Sequence, residues 1–129
     1  MGLVADKQLP SPRRGDIWLV ALGAARKGEM GKTRPCLIIS SDALRTFGEF
    51  DLITVVPITT SAYLTSGTLL PEITASTTSG LTRDSVVMAN VPRAIVPSRF
   101  LRQVGTASAT EMTRVLSARA LIEGWDLSN

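Results

Sequence analysis

Residues 31–40, GKTRPCLIIS, constrain the fold of this chain more than any other segment. Residues 37–39 are apolar and mostly β-branched, which is typical of a strand buried on both faces. Pro35 has no N–H to donate to a sheet, so we expect it at the first position of this strand. Arg34 then stands just before the strand, where the proline restricts its backbone and its guanidinium lies at the strand's end.

A second apolar segment, residues 51–58, is predicted to form another strand. It is followed directly by three hydroxyl residues, Thr59, Thr60 and Ser61. A fixed guanidinium beside hydroxyl donors is well suited to binding phosphate. The two segments therefore predict a phosphate-binding cleft, and the alternative is that Arg34 is an ordinary surface arginine near a turn.

The composition indicates one globular domain. The chain has 129 residues, of which 44% are apolar and 19% charged, enough for a hydrophobic core. No apolar run approaches the ~20 residues that a membrane-spanning helix needs, and residues 1–14 lack the apolar core of a signal peptide. We therefore expect a cytoplasmic protein. Cys36 is the single cysteine and lies within an apolar strand, so we expect a core residue rather than a nucleophile.

Charge and missing residue types narrow the possible chemistry. The net charge is +3, and 11 of the 14 basic residues are arginines, whose planar fork suits phosphates and base edges. The absence of histidine excludes imidazole catalysis and a Ser-His-Asp triad. One cysteine and scattered carboxylates leave no plausible zinc or magnesium site. An enzyme of this composition must use Arg, Thr or Ser, Asp or Glu and backbone groups, and we expect no cofactor.

The residue pattern predicts a mainly β protein with one C-terminal helix, an α+β arrangement. Strands are predicted at residues 15–21, 35–40, 51–58, 69–74, 85–89, 91–96 and 101–105. Ser108 and Glu111 have the spacing of a capping box, which predicts a helix over residues 110–123 that ends at Gly124. Residues 1–12 are predicted to be a flexible tail and residues 125–129 a C-terminal tail. Residues 13–124 are predicted to form one domain, in which the helix packs on a small, strongly bent sheet.

The order of several motifs resembles the MazF/PemK family of toxin ribonucleases from type II toxin–antitoxin systems. The motifs are RGDIW at 14–18, a loop with Gly28 and Glu29, TRP at 33–35, VVPITT at 55–60, GLTRDSVV at 80–87, PRAI at 92–95 and the SxxE helix start. The resemblance spans roughly residues 13–124. It implies an SH3-like small β-barrel of the MazF/PemK/CcdB type, a homodimer that cleaves single-stranded RNA at short sequences without metal. It also implies a MazE-like antitoxin whose disordered acidic-hydrophobic segment blocks the groove.

The resemblance also implies which residues act in catalysis. The family's catalytic arginine and threonine correspond to Arg34 and Thr59. In this chemistry the RNA 2′-hydroxyl attacks the adjacent phosphorus and leaves 2′,3′-cyclic phosphate and 5′-hydroxyl ends. Arg34 is expected to stabilise the charge of the transition state, and Thr59 to donate a hydrogen bond or align the 2′-hydroxyl. Arginine stays protonated, so Glu29 is the first candidate for the general base, and a solvated loop carboxylate is the alternative.

Further polar residues are predicted to bind RNA: Arg26, Lys27, Lys32, Thr60, Ser61 and Asn90. The three cations are expected to contact backbone phosphates, or else to form only a solvated charged loop. Thr60 and Ser61 either orient the groove or cap a strand. Some PemK-type members have an arginine and an aspartate where this chain has Met88 and Asn90, so we expect Met88 to pack and Asn90 to read a base edge. Asp16 also fits the family, and we expect it to organise a turn.

Two other functions remain open from the sequence. One is a CcdB-type poison, which shares this barrel and binds DNA gyrase. The other is a catalytically silent module that binds RNA or an antitoxin. The TRP and PITT motifs argue against the gyrase poison, because such a protein does not need the phosphate-handling pair.

Overall fold

The computed structural model of the chain describes residues 11–23, 32–43, 52–60 and 66–125. These residues form one helix, α1, at Ala109–Glu123, and a 3₁₀ turn at Pro97–Arg99. The strands are β1 (Asp16–Ala21), β2 (Thr33–Ile38), β3 (Ile53–Thr59), β4 (Glu72–Ile73), β5 (Ser85–Val87), β6 (Arg93–Ile95) and β7 (Phe100–Thr106). Among the described residues, no helix has the length and apolar character needed to cross a membrane.

The strands form one antiparallel sheet in the order β4-β5-β3-β2-β1-β7, and β6 also pairs with β3. The N-terminal part of β3 pairs with β6 and its C-terminal part pairs with β5. The sheet curls strongly, since Ile53 of β3 and Ile95 of β6 share a hydrophobic cluster with Val20 of β1 and Phe100 of β7. The curled sheet with its C-terminal helix confirms the predicted fold class, including the SH3-like character.

Side chains alternate between two hydrophobic clusters on the two faces of the sheet. The helix-side core contains Ile17, Leu37, Ile39, Val56, Ile58, Ile73, Val87 and Val115, and Met112 and Leu116 of α1 pack against it. The inner core contains Val20, Leu22, Cys36, Ile38, Ile53, Val55, Ile95 and Phe100, with Trp18 against it. Each central strand is therefore buried on both faces, as the apolar run of residues 37–39 predicted.

Helix α1 begins and ends as the sequence predicted. Ser108 Oγ accepts a hydrogen bond from the Glu111 N–H at 3.1 Å, and Glu111 Oε1 accepts one from the Ser108 N–H at 2.9 Å. This capping box satisfies donors that the first turn of a helix leaves without partners. Gly124 ends the helix with a φ of 77°, in the left-handed region that glycine adopts without strain.

Strand β2 differs from the prediction, because Pro35 is its third residue and not its first. Thr33 and Arg34 already pair with Ala21 and Val20 of β1. The N–H of Ile39 donates towards β3, to Thr54 O, so by alternation the missing N–H of Pro35 also lies on the β3 side. The pairing of β2 with β3 begins only at Cys36. The proline is therefore tolerated inside the strand.

The predicted strand 85–89 is a strand only at Ser85–Val87, and two other predicted strands are shortened further. The segment 69–74 is a strand only at Glu72–Ile73, because Gly67 and Leu70 bond to each other in a turn and the Thr74 N–H donates to Glu111 Oε2. The segment 91–96 is a strand only at Arg93–Ile95, because the Val91 N–H closes a turn onto Met88 O. In both cases local hydrogen bonds take backbone groups that a longer strand requires.

Candidate functional site

Arg34 and Thr59 lie on the neighbouring strands β2 and β3, just beyond the residues of these strands that pair. The β2–β3 ladder ends with Cys36 paired to Pro57, and the same register continued for two residues aligns Arg34 with Thr59. Facing residues of an antiparallel pair point to the same side of the sheet, with Cβ atoms about 4.5–5.5 Å apart. Arg34 is half-buried and Thr59 is 8% exposed. The two residues for which the family resemblance implies catalysis therefore lie on adjacent strands, and their role stays a prediction.

The pair lies on the face of the inner core, since Arg34 alternates with Cys36 and Thr59 with Val55. Their neighbours across the sheet are apolar: Val20 faces Arg34 on β1, and Val86 faces Thr59 on β5. Apolar surroundings lower the local dielectric and strengthen electrostatic interactions. A guanidinium and a hydroxyl in this setting can stabilise negative charge that develops on a phosphate.

Arg93 is a third polar residue of this face, to which the sequence analysis gave no individual role. It faces Val55 in the β3–β6 ladder, and Ile95, two residues on, belongs to the inner core. Because the sheet curls, the Arg93 side chain reaches the end of β1, where Nη2 donates to Leu22 O at 3.1 Å. In the sequence, the signal that could have identified Arg93 is the alternation of a charged residue with an isoleucine of the core.

Cys36 lies between these cations and is fully buried. Burial raises the pKa of its thiol from 9.0 to about 12, although the positive charges of Arg93 and Arg34 both lower that pKa. The thiol is therefore protonated at neutral pH and is a poor nucleophile. This confirms the prediction that Cys36 is a core residue.

Arg99 and Lys32 also lie at the end of β1. Arg99 is exposed, and its Nη1 donates to Ala21 O at 3.3 Å. The Leu22 N–H donates to Lys32 O at 2.8 Å, and Gly23 and Lys32 both have positive φ angles, of 86° and 64°. The backbone at Gly23 and Lys32 is therefore tightly turned, and the Lys32 side chain is exposed beside β2.

The structure gives positions for only some of the other predicted site residues. Thr60 is exposed and directly follows Thr59 at the end of β3. Asn90 is exposed in a turn after β5, four residues beyond the Val86 that faces Thr59. Four predicted residues lie outside the described residues: Glu29, Arg26, Lys27 and Ser61.

The carboxylate of Asp16 organises a turn, as predicted. Its Oδ2 accepts hydrogen bonds from the Arg13 N–H at 2.9 Å and from Trp18 Nε1 at 3.2 Å. These bonds fix the start of β1. Across residues 11–23, 32–43, 52–60 and 66–125 there is no group of three or more His, Cys, Asp or Glu side chains that could hold a metal ion.

Comparison with known proteins gives relatives for nearly the whole chain. Residues 13–122 match the family model described as PemK-like, MazF-like toxin of type II toxin-antitoxin system. The endoribonuclease MazF9 of Mycobacterium tuberculosis is 35% identical over 112 residues, covering 84% of this chain and 93% of that protein. The probable endoribonuclease MazF of Mycolicibacterium smegmatis is 37% identical over 111 residues, covering 85% of this chain and 93% of that protein.

Solved structures share the fold at lower identity. MazF from Deinococcus radiodurans superposes with a TM-score of 0.72 at 22% identity, covering 88% of this chain and 96% of that one. An endoribonuclease from a mycobacterial species, solved in complex with its cognate antitoxin, gives a TM-score of 0.69 at 21% identity, covering 90% and 98% of the two chains. With the family match over residues 13–122 and relatives above 30% identity, the chain belongs to the PemK-like, MazF-like toxins of type II toxin–antitoxin systems.

Proposed function

We propose that this chain is the toxin of a type II toxin–antitoxin system and acts as a metal-independent, sequence-specific endoribonuclease on single-stranded RNA. The observation that carries the proposal is the position of Arg34 and Thr59 on the adjacent strands β2 and β3, on the inner-core side of the curled sheet. Its relatives in two mycobacteria are named endoribonucleases. The family match and these names favour the ribonuclease over a gyrase-binding poison or a silent binding module.

The proposed reaction needs no nucleophile from the protein. The 2′-oxygen of a ribose attacks the adjacent phosphorus and loses its proton, the bond from phosphorus to the 5′-oxygen breaks, and the 5′-oxygen gains a proton. Negative charge builds on the non-bridging oxygens during this step. Arg34 stabilises that charge, and Thr59 donates a hydrogen bond to one of these oxygens or aligns the 2′-hydroxyl. The products carry 2′,3′-cyclic phosphate and 5′-hydroxyl ends.

The proton acceptor in this proposal is Glu29. A guanidinium has hydrogen-bond donors and no acceptor, so Arg34 is unsuited to accepting the proton. The thiol of Cys36 is also unsuited, because burial raises its pKa to about 12 and it lies within the inner core. Glu29 lies five residues before Arg34 in the sequence, and its carboxylate has the chemistry of a general base.

The proposal includes partners as well as the substrate. Arg26, Lys27 and Lys32 contact RNA phosphates, and Thr60, Ser61 and Asn90 contribute further polar contacts to the RNA. A MazE-like antitoxin with a disordered acidic-hydrophobic segment silences the toxin, as the solved complex of a related endoribonuclease with its antitoxin suggests by analogy. The toxin is a homodimer, and it works in the cytoplasm, where messenger RNA is translated.

Incubation of the purified protein with a long RNA in EDTA tests the proposal. We expect discrete fragments, because cleavage at short sequences does not produce a continuous smear. The 3′ ends of these fragments should resist ligation until the cyclic phosphate is opened and the resulting phosphate is removed, and their 5′ ends should accept phosphate from a polynucleotide kinase. RNA that stays intact in EDTA and in magnesium would rule out the nuclease, and cleavage only with magnesium would rule out the metal-independent mechanism.

A further inference from the structure

A groove with a volume of about 700 Å³ lies between α1 and the sheet, and we call it the helix–sheet groove. It is lined on the sheet side by Ile39, Thr54 and Pro92, and on the helix side by Leu116, Ala120 and Trp125. Its surface is mostly apolar, and the mechanism above does not use it.

The sheet beside the helix–sheet groove leaves apolar side chains exposed. Thr54, which lines the groove, pairs with Ala94 of β6. Leu52 and Val96 lie two residues from Thr54 and Ala94, so by alternation they point to the same side, away from Ile53 and the inner core. Leu52 is 48% exposed and Val96 is 42% exposed. A groove that continues into exposed apolar residues is typical of a surface that another molecule covers.

Trp125 is the most exposed large apolar residue of the part of the chain that the structure describes, at 70%. Its backbone is nevertheless fixed, because the Trp125 N–H donates to Ala120 O at 2.8 Å and Gly124 closes the helix in the left-handed conformation. A tryptophan held in this way loses little conformational freedom on binding, and tryptophan is enriched among the residues that dominate interface affinity. Trp125 is therefore suited to anchor a protein interface.

Charged side chains of both signs also line the helix–sheet groove. Arg14 is exposed, and its backbone N–H, not its guanidinium, donates to Asp42. Glu123 pairs with Arg119, yet the Glu123 side chain remains 50% exposed. An acidic peptide in the groove would meet the like charge of Glu123. In a two-fold dimer the same patch of each copy meets the other, so Arg14 of one copy can face Glu123 of the second copy. The charges therefore favour a second copy of this chain over an acidic segment.

We propose that the helix–sheet groove, with Leu52, Val96 and Trp125, is the surface through which two copies of this chain form the homodimer. Each copy places Trp125 against the groove of the other, and the apolar residues beside the groove are covered in the same contact. The inference rests on the homodimer named in the proposed function and adds the surface that forms it. Arg34 and Thr59 do not line the groove, because they lie on the inner-core side of the sheet.

Sedimentation equilibrium of the purified full chain at several concentrations tests this surface. We expect a dimer for the wild type. Trp125→Ala should raise the dissociation constant of the dimer by about thirtyfold or more, because it removes the anchor of the interface. Arg14→Glu should raise it by about tenfold or more, because it places a like charge opposite Glu123 of the second copy.

Two control variants separate this surface from a general change of the protein surface. Leu101 on β7 is 53% exposed and does not line the groove, so Leu101→Ala should keep the wild-type dissociation constant. Arg114 is exposed on α1 and does not line the groove either, so Arg114→Glu, which makes the same charge change as Arg14→Glu, should also keep it. Circular dichroism of each variant establishes that it is folded.

Fluorescence tests the contact without a change at the interface. The chain has two tryptophans, so Trp18→Phe leaves Trp125 as the single emitter. Its quenching by acrylamide should be weak in the dimer and should rise as dilution separates the two copies.

The outcomes separate this inference from the ribonuclease function. Folded Trp125→Ala and Arg14→Glu proteins with the wild-type dissociation constant, or a Trp125 that is equally quenched in dimer and monomer, would overturn the proposed surface alone. A wild type that is monomeric at every concentration would overturn the homodimer together with its surface. Cleavage of RNA by the wild type, measured separately, decides the ribonuclease function.

Discussion

The N-terminus of α1 and the end of β1 use charged side chains in opposite ways. Both carboxylate oxygens of Glu111 are bound by backbone N–H groups, from Ser108 and Thr74 at 2.9 Å each. At the end of β1, by contrast, guanidinium groups of Arg93 and Arg99 donate hydrogen bonds to backbone carbonyls, with Arg34 on the adjacent strand.

The difference follows from the number of hydrogen-bonding groups that each side chain carries. A carboxylate with one backbone donor on each oxygen is largely occupied, whereas a guanidinium with five donors can hold a carbonyl and still bind a phosphate. We therefore expect changes at α1 to affect stability and changes at Arg34 to affect activity. The predictions below test that separation.

The largest effect is expected at Cys36, which lies in the inner core beneath the arginines. Its pKa is raised from 9.0 to about 12, so its thiolate fraction near pH 8 is roughly a thousandfold below that of the unfolded chain. Alkylation by iodoacetamide should be slower in the native protein than in denaturant by a similar factor. Cys36 is the single thiol of the chain, so no other residue contributes to the reading. Equal rates in both states would contradict the burial.

The same shift sets a pH dependence of stability. The folded protein favours the protonated thiol, so this contribution to the free energy of unfolding is complete below pH 9 and is lost as the pH rises towards 12. Urea unfolding of wild type and Cys36→Ala across pH 8–11 should show a decline above pH 9 that is smaller in the variant. Parallel curves would mean that other groups cause the decline.

At the two residues proposed for catalysis, Arg34→Ala and Thr59→Ala should each reduce RNA cleavage on the order of a hundred- to a thousandfold, about 2.7–4 kcal/mol of barrier. The reason is the loss of a donor that stabilises transition-state charge. Single-turnover rates on one RNA give the measurement, and Arg114→Ala on α1 is the matched control. Wild-type rates in both variants would show that the pair is not the catalytic site.

At the turn that packs on β7, Gly105→Ala should destabilise the protein by about 1–3 kcal/mol or more. A Cβ at Gly105 would overlap the carbonyl oxygens of Ser79 and Thr78, and the Thr78 carbonyl also accepts the Thr106 N–H at 2.9 Å. Urea denaturation measures the change. Gly67→Ala is the control, because a Cβ there meets no atom within 4 Å. Similar stability of both variants would contradict the close approach.

The smallest effect is expected at the capping box. Glu111→Ala removes the acceptor for two backbone N–H groups and should cost about 1 kcal/mol of stability. Thermal unfolding measures the loss, and Arg114→Ala on the same helix should change it little. RNA cleavage below the melting temperature should match the wild type. A loss of cleavage in a folded Glu111→Ala protein would break the separation between the two regions.

Local signals in the sequence predicted the elements whose ends depend on nearby residues. The capping box at Ser108 and Glu111 and the glycine at 124 identified both ends of α1 to within one residue. Strand limits were harder to predict. The position of Pro35 depends on which neighbour its missing N–H faces, and that is decided by the pairing of β2 with β1 and β3.

At the candidate site, too, some residues were predicted from local sequence signals and others were found only in the structure. The TRP and PITT motifs pointed to Arg34 and Thr59, because a guanidinium beside hydroxyls suits phosphate chemistry. Arg93 had no such signal, since its importance comes from a bond to Leu22, 71 positions away in the sequence. Asn90 was expected from the family pattern to read a base edge; it lies exposed in a turn after β5, and this role stays a prediction.

The sequence by itself determined the family and the order of the elements, and it supplied the arginine and threonine that are proposed for the candidate site. The physical reason is that caps, apolar alternation and short polar motifs depend on neighbours along the chain. Only the tertiary structure decided that Arg93 and Arg99 meet at Leu22 and Ala21. That meeting depends on strand register and on the curl of the sheet, which are set by long-range pairing and by packing of the inner core.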